Sequence, residues 1–211
     1  MEVHTPHEPV TSLRGLVTHL SLVIVGVLIA LSFEGVATWR EHRALVRDAR
    51  ANLLKEVRDN RKALDERLKR IPTEIDQLDR ALEVSIALLQ HKTIDGQMDL
   101  GFKSAELQTA SHTTAEITGA FALMEYDEVK RYANLYDHQN VFAATQDQAK
   151  QDLTRALSGV SFLSRNEAAS ARQLEDWSTA IRQAMASLFV EQELGASLLK
   201  NYDSVLQGRE H

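Results

Sequence analysis

From Leu16 to Trp39 the chain reads LVTHLSLVIVGVLIALSFEGVATW, an almost unbroken apolar run whose one acidic or basic residue besides His19 is Glu34. As a helix rising 1.5 Å per residue it extends roughly 36 Å, enough to cross a hydrocarbon core of about 30 Å with some tilt. Beyond Trp39 the pattern changes to polar sequence with apolar or small residues at helical spacing. They fall at Val46, Ala49, Leu53, Val57, Leu64, Leu68, Ile71, Ile75, Leu78, Leu82, Ile86 and Leu89, with Asn60 filling the missing step. The mean step is close to 3.6, which predicts one long helix packed in a bundle over about 40–90 rather than a strict coiled coil of period 3.5. The phase holds across Pro72, so the proline predicts a kink and not a hairpin.

The stretch His91 to Ser104 breaks the pattern with two glycines and two aspartates and reads as the main loop, 91–104. Helices are then expected over about 105–124, 126–162 and 167–207. Tyr126-Asp127-Glu128 opens the second of these with acids in its first turn, and Ser164-Arg165-Asn166 marks its end. On its apolar face, with Leu135, Phe142, Ala149, Leu153, Leu157 and Val160, two amides fall in phase. Gln139 and Gln146 are expected to be buried and hydrogen-bonded, because an unpaired buried amide costs about 1–3 kcal/mol. The last helix keeps steps of 3 or 4 through Leu174, Trp177, Ile181, Met185, Leu188, Gln192, Gly195, Leu199, Tyr202 and Leu206.

The expected fold is therefore all-α: one N-terminal transmembrane helix continuing into a long stalk helix, packed in an antiparallel helical bundle. Residues 1–13 read as an irregular tail, 14–39 as the span, and 40–211 as the bundle domain. Composition agrees, since 9 glycines and 3 prolines among 211 residues leave few breaks. The absence of cysteine excludes disulfides and thiolate metal sites. Charge is unevenly spread: residues 1–39 carry −2, 40–71 carry +5 (11 basic against 6 acidic) and the remainder −9, out of −6 overall. A basic collar beside the span suits an anionic lipid surface, although paired charges on a solvated helix account for it equally. Arg14 alone precedes the span, whereas Arg40, Arg43, Arg47 and Arg50 follow it. By the positive-inside rule the bulk of the chain then lies in the cytoplasm, with the periplasm as the alternative. The weakly basic start and the long apolar run favour an uncleaved anchor over a signal peptide ending near Gly35-Val36-Ala37.

Stepping 100° per residue places His19, Gly26, Ala30 and Ala37 within about 20° of one line, with Glu34 about 60° away. Small residues let helices approach in lipid and polar groups seek partners there, so this face is a candidate seam for association. Glu34 is either a functional intramembrane carboxylate or a side chain snorkelling to the interface. No catalytic signature appears, and neither enzyme activity nor a cofactor is expected. His112 and Glu116 lie four apart as a metal pair would, but nothing completes a site. Tyr126, Tyr132, Tyr136 and His138 form a candidate small-ligand pocket, with ordinary core packing as the alternative. No phosphate loop and no basic, aromatic-interleaved surface for nucleic acid is present.

The run VIVGVLIALSFEGVATWREHRALVRDAR, the preceding PHEPVTSLRG and the later TTAEITGAFALMEYDEVKRYANLYDHQ resemble a family of small single-span bacterial inner-membrane proteins with a helical extramembrane domain. The resemblance implies that address and architecture; it carries over no activity and no functional residue. The expected partners are the lipid bilayer and either further copies of the chain, as a homo-oligomer, or another membrane protein. A sensor-like ligand-binding bundle, and an accessory subunit of an ion-coupled complex using Glu34, are the competing expectations.

Overall fold

A computed structural model of the chain describes residues 13–92, 101–164 and 169–208. The expected tail and the centre of the expected loop lie largely outside the described residues. The fold is all-α, with α1 (Leu13–Leu68), α2 (Ile71–Leu89), α3 (Ala110–Ile117), a 3-10 turn (Ala120–Leu123), α4 (Tyr126–Ser164) and α5 (Ala171–Gln207). By internal contacts it divides into Met1–Asp48 and Ala49–His211.

The first unit is helical from Leu13, and every side chain from Arg14 to Arg43 is exposed. Its hydroxyls turn back on the helix: Thr18, Ser32 and Thr38 each donate to the carbonyl four residues earlier, at 2.9, 2.7 and 3.0 Å. This bonding satisfies those three hydroxyls within the helix itself. At its end the Arg43 guanidinium lies 4.7 Å from the centre of the Trp39 ring.

The second unit is a bundle in which the C-terminal part of α1, then α2, run parallel to α4 and antiparallel to α5. Arg50 reaches Glu128 and Asn60 reaches Gln139, whereas Arg61 reaches Asp203 and Ser85 reaches Ser178. The buried seams alternate steps of 3 and 4: Leu53, Val57, Asn60, Leu64, Arg67, Ile71, Glu74, Leu78, Ala81 and Ser85 on α1 and α2. On α4 they are Tyr132, Leu135, Gln139, Phe142, Gln146, Ala149, Leu153 and Ala156; on α5, Leu174, Trp177, Ile181, Ala184, Leu188, Glu191, Gly195, Leu198 and Tyr202. This is the 3.5-residue heptad period of a coiled coil, which corrects the 3.6-residue expectation. The charged residues Arg67, Glu74 and Glu191 take seam positions that an apolar pattern assigns to Leu68, Ile75 and Gln192, which are only partly buried, and the smaller Ala156 is buried in place of Leu157.

As the phase across Pro72 predicts, the break at Lys69-Arg70 leaves the two seams in register. Pro72 lacks an N–H, so the ladder is interrupted there, and the Arg70 amide donates instead to the Arg67 carbonyl at 3.0 Å. Gly195 lies where three elements meet closely: a Cβ on it would lie 2.6 Å from Leu68 Cδ2 and 3.0 Å from Phe142 Cε2, so both side chains would have to shift. Trp177 lies against Gly159 and donates its indole N–H to the Ala156 carbonyl at 2.9 Å. The α5 helix starts at Ala171, four residues later than expected, on a capping box between Ser170 and Gln173.

The helix expected over 105–124 is not formed as one element. Residues 101–109 have no regular structure, α3 spans two turns, and Gly119, with φ 74°, ends it in the left-handed conformation before the 3-10 turn. Two causes act together. Positive φ at Gly119 suits a C-terminal stop, and the backbone groups of Ala105 and Gln108 are claimed by side chains of the bundle.

Candidate functional site

The extended segment and α3 run back along the groove between α1 and α4 as a strap, held by a ladder of buried amides. Gln146 accepts from the Ala105 N–H at 2.7 Å and donates to the Ala105 carbonyl at 3.0 Å. Asn60 does the same at Gln108, accepting and donating at 2.7 Å, and Gln139 adds a third bond, to the Gln108 carbonyl, at 3.0 Å. The Gln146 and Asn60 carboxamides thus each stand in for a neighbouring strand, presenting one donor and one acceptor to an extended peptide unit. Three residues further on, Glu56 caps α3 from another helix, accepting from the amides of Ser111 at 2.7 Å and His112 at 3.4 Å. Its carboxylate also accepts the Tyr136 hydroxyl at 2.5 Å, and the Tyr202 hydroxyl donates to Gln139 at 2.5 Å. Burial first, then the Glu56 carboxylate, pushes both phenols well above their ordinary value, so both remain donors. The expectation that Gln139 and Gln146 are buried and bonded holds: Gln146 bonds the strap with both ends, whereas Gln139 donates to the strap and accepts from Asn60 and Tyr202 within the bundle.

This arrangement separates the four residues of the candidate aromatic pocket. Tyr132 and Tyr136 are buried in the bundle, but Tyr126 is 78% exposed and His138 is exposed and bonded to Asn201 at 2.7 Å. The four do not line one pocket: from Tyr132, Tyr126 and His138 each lie six residues away, about 120° round the helix, and both are exposed. The ring that joins Tyr136 is instead His112, at 4.3 Å between centroids and 5.2 Å from Phe121. Glu116 is exposed, and no group of three or more metal-ligating side chains occurs among the described residues.

Burial lowers the proton affinity of His112, against the opposing pull of Glu116 and Glu56. The unfolded chain therefore binds the proton more tightly, and the stability that His112 contributes declines as pH falls below about 6.5. A His112→Phe variant is expected to lose less of its urea midpoint than the wild-type chain between pH 7.5 and 5.5. Equal losses would remove His112 from the acid response.

A second buried cluster lies at the break between α1 and α2. Arg67 is 2% exposed and lies with its guanidinium carbon 4.3 Å from the centre of the Phe102 ring. Its Nε and Nη2 donate to Glu191 at 2.7 and 2.9 Å, a bidentate pair, and Nη1 donates to Glu74 Oε1 at 2.6 Å. Burial alone would weaken the hold of Arg67 on its proton; the two carboxylates outweigh it and raise the value.

Known protein families, curated proteins and solved structures contain no match to this chain. The functional reading therefore rests on these residues alone. The candidate association face lies wholly on the exposed part of α1. His19, Gly26, Ala30, Glu34 and Ala37 are all exposed, and a Cβ added at Gly26 would meet nothing within 4 Å.

Proposed function

We propose that the protein is a single-span bacterial inner-membrane protein whose helical bundle acts without catalysis, by self-association or as a subunit or scaffold of a membrane complex. One observation carries the reading. Between Leu16 and Trp39 fourteen Leu, Val, Ile, Phe and Trp side chains are each 49–74% exposed. The apolar window has a mean hydropathy of 2.4 with none of it buried. So much contiguous apolar surface on one helix demands a covering, and its length matches a bilayer. Trp39 with Arg43 suits the interfacial level, and the arginines that follow favour a cytoplasmic bundle. Within the span the small face of Gly26, Ala30 and Ala37 admits a second helix at close range, with His19 and Glu34 offering polar partners.

Membranes carrying the full chain supply the test. The protein is expected to stay in the pellet after alkaline carbonate washing and to give a crosslinked dimer. Gly26→Leu is expected to reduce that dimer about five- to thirtyfold, the fold-change of 1–2 kcal/mol. Release by carbonate would remove the anchor; an undiminished dimer would remove the seam.

A further inference from the structure

Beside its buried seam, α5 carries a second stripe at the same spacing. Ala180, Gln183, Ser187, Val190, Leu194 and Ser197 recur in steps of 3 and 4, all at least partly exposed and none charged, in a chain with 26% charged residues. The middle of this stripe borders an open groove of about 570 Å³, whose other wall is Val141, Ala144 and Gln148 of α4. An uncharged surface that repeats every 3.5 residues is built to receive another helix along its length. A small ligand requires no such period.

The charges next to the stripe say which helix. On its far side from α4, Glu175, Arg182, Glu193 and Lys200 fall within about 20° of one line along α5. All four are exposed and enter no ion pair among the described residues. Their signs alternate in chain order, and the outer pair, Glu175 and Lys200, and the inner pair, Arg182 and Glu193, share one midpoint between Ser187 and Leu188. A second α5 laid antiparallel about that midpoint therefore sets every one of these charges against its opposite, Glu175 on Lys200 and Arg182 on Glu193. A parallel copy in the same register sets each against its like. The same axis places the small Ala186 and Ser187 at the crossing and lays Val190 and Leu194 of one copy over Gln183 and Ala180 of the other. We propose that this face is an isologous contact with a second copy of the chain, α5 antiparallel to α5 with the two α4 helices alongside. The two Ala49 ends point in opposite directions in such a pair, and detergent leaves the copies free to meet that way.

The contact lies in the bundle and does not rest on the span. The experiment uses the detergent-solubilised full chain carrying Gly26→Leu, so that loss of the span seam and loss of the bundle contact are read separately. Because the chain has no cysteine, single introduced cysteines report the register. Ala186→Cys is expected to give a disulfide-linked dimer on mild oxidation. Thr179→Cys and Ser197→Cys each lie roughly 25–29 Å from their own copies along the antiparallel pair, at 1.5 Å per residue. Each is expected to stay monomeric alone, and the two are expected to crosslink when mixed. Arg182→Glu and Glu193→Arg change exposed residues, so the unfolding midpoint is retained, and each is expected to reduce the Ala186→Cys dimer at least fivefold. The chain carrying both exchanges is expected to recover the dimer to within twofold. Three results would overturn the proposal: no Ala186→Cys dimer, a Ser197→Cys chain that links to itself as fast as Ala186→Cys does, or single charge exchanges that leave the dimer unchanged. So would a double exchange no better than either single one.

Discussion

Replacing Arg67 by methionine is expected to cost about 3–5 kcal/mol, the usual consequence of removing one partner from a buried ion pair. The side chain lost is nearly isosteric in its stem. What remains is Glu191, fully buried, beside Glu74, with three hydrogen bonds gone and the guanidinium that both carboxylates shared removed. Urea unfolding of the full chain in mild detergent measures the loss as a fall in midpoint at constant slope. The control is the triple variant Arg67→Met, Glu74→Leu, Glu191→Leu, in which no charge is left without its counter-ion. It is expected to regain most of the stability, because well-packed apolar residues often match or exceed a buried ionic cluster. A single Arg67→Met variant as stable as the wild type would mean that water already reaches the cluster and screens it.

Replacing Glu56 by leucine comes next, at about 2–4 kcal/mol, from two or more buried donors losing their acceptor. The Tyr136 hydroxyl and the first amides of α3 all converge on that one carboxylate. Because the strap is tied to the bundle mainly by side chains, the effect is expected to be regional. Amide hydrogen exchange over residues 105–117 should quicken more than exchange in α4 or α5. Glu56→Gln keeps one acceptor and is expected to fall midway. Uniform quickening throughout the bundle would show that the strap unfolds only with the whole.

Most of the architecture could be read from the spacing of apolar residues. The long apolar N-terminal helix, the register across Pro72, the limits of α4 and the end of α5 follow from periodicity and from where glycine and proline fall. The seam itself was harder. A heptad with Arg67, Glu74 and Glu191 at core positions looks, to a search for apolar residues, like a slightly longer period with neighbours substituted in. Only the partners reveal that these charges point inward, and the partners lie 7 and 124 residues away in sequence. The strap was hidden for a related reason. Residues 105–124 contain enough alanine and spaced apolar positions to read as a helix, yet their backbone is claimed by Asn60, Gln139 and Gln146. Of these, the two glutamines could be singled out in advance, since each breaks an otherwise apolar face on α4. The aromatic pocket failed on helical geometry that was available beforehand, because clustering in sequence is not clustering on a face.

The distance between Arg67 and Glu191 also bears on how the chain is made. A ribosome adding about 5–20 residues per second needs roughly 6–25 s to deliver Glu191 after Arg67 has emerged. Glu74 arrives almost at once, so the guanidinium is first engaged by the carboxylate that later keeps a free oxygen. Until α5 is complete, the seam from Leu53 to Ser85 has no antiparallel partner, and Gln139 lacks the hydroxyl of Tyr202. Nascent chains that end short of α5 therefore display a heptad surface with Arg67 at its centre paired to Glu74 alone, a natural place for a chaperone or a protease to distinguish unfinished molecules from finished ones.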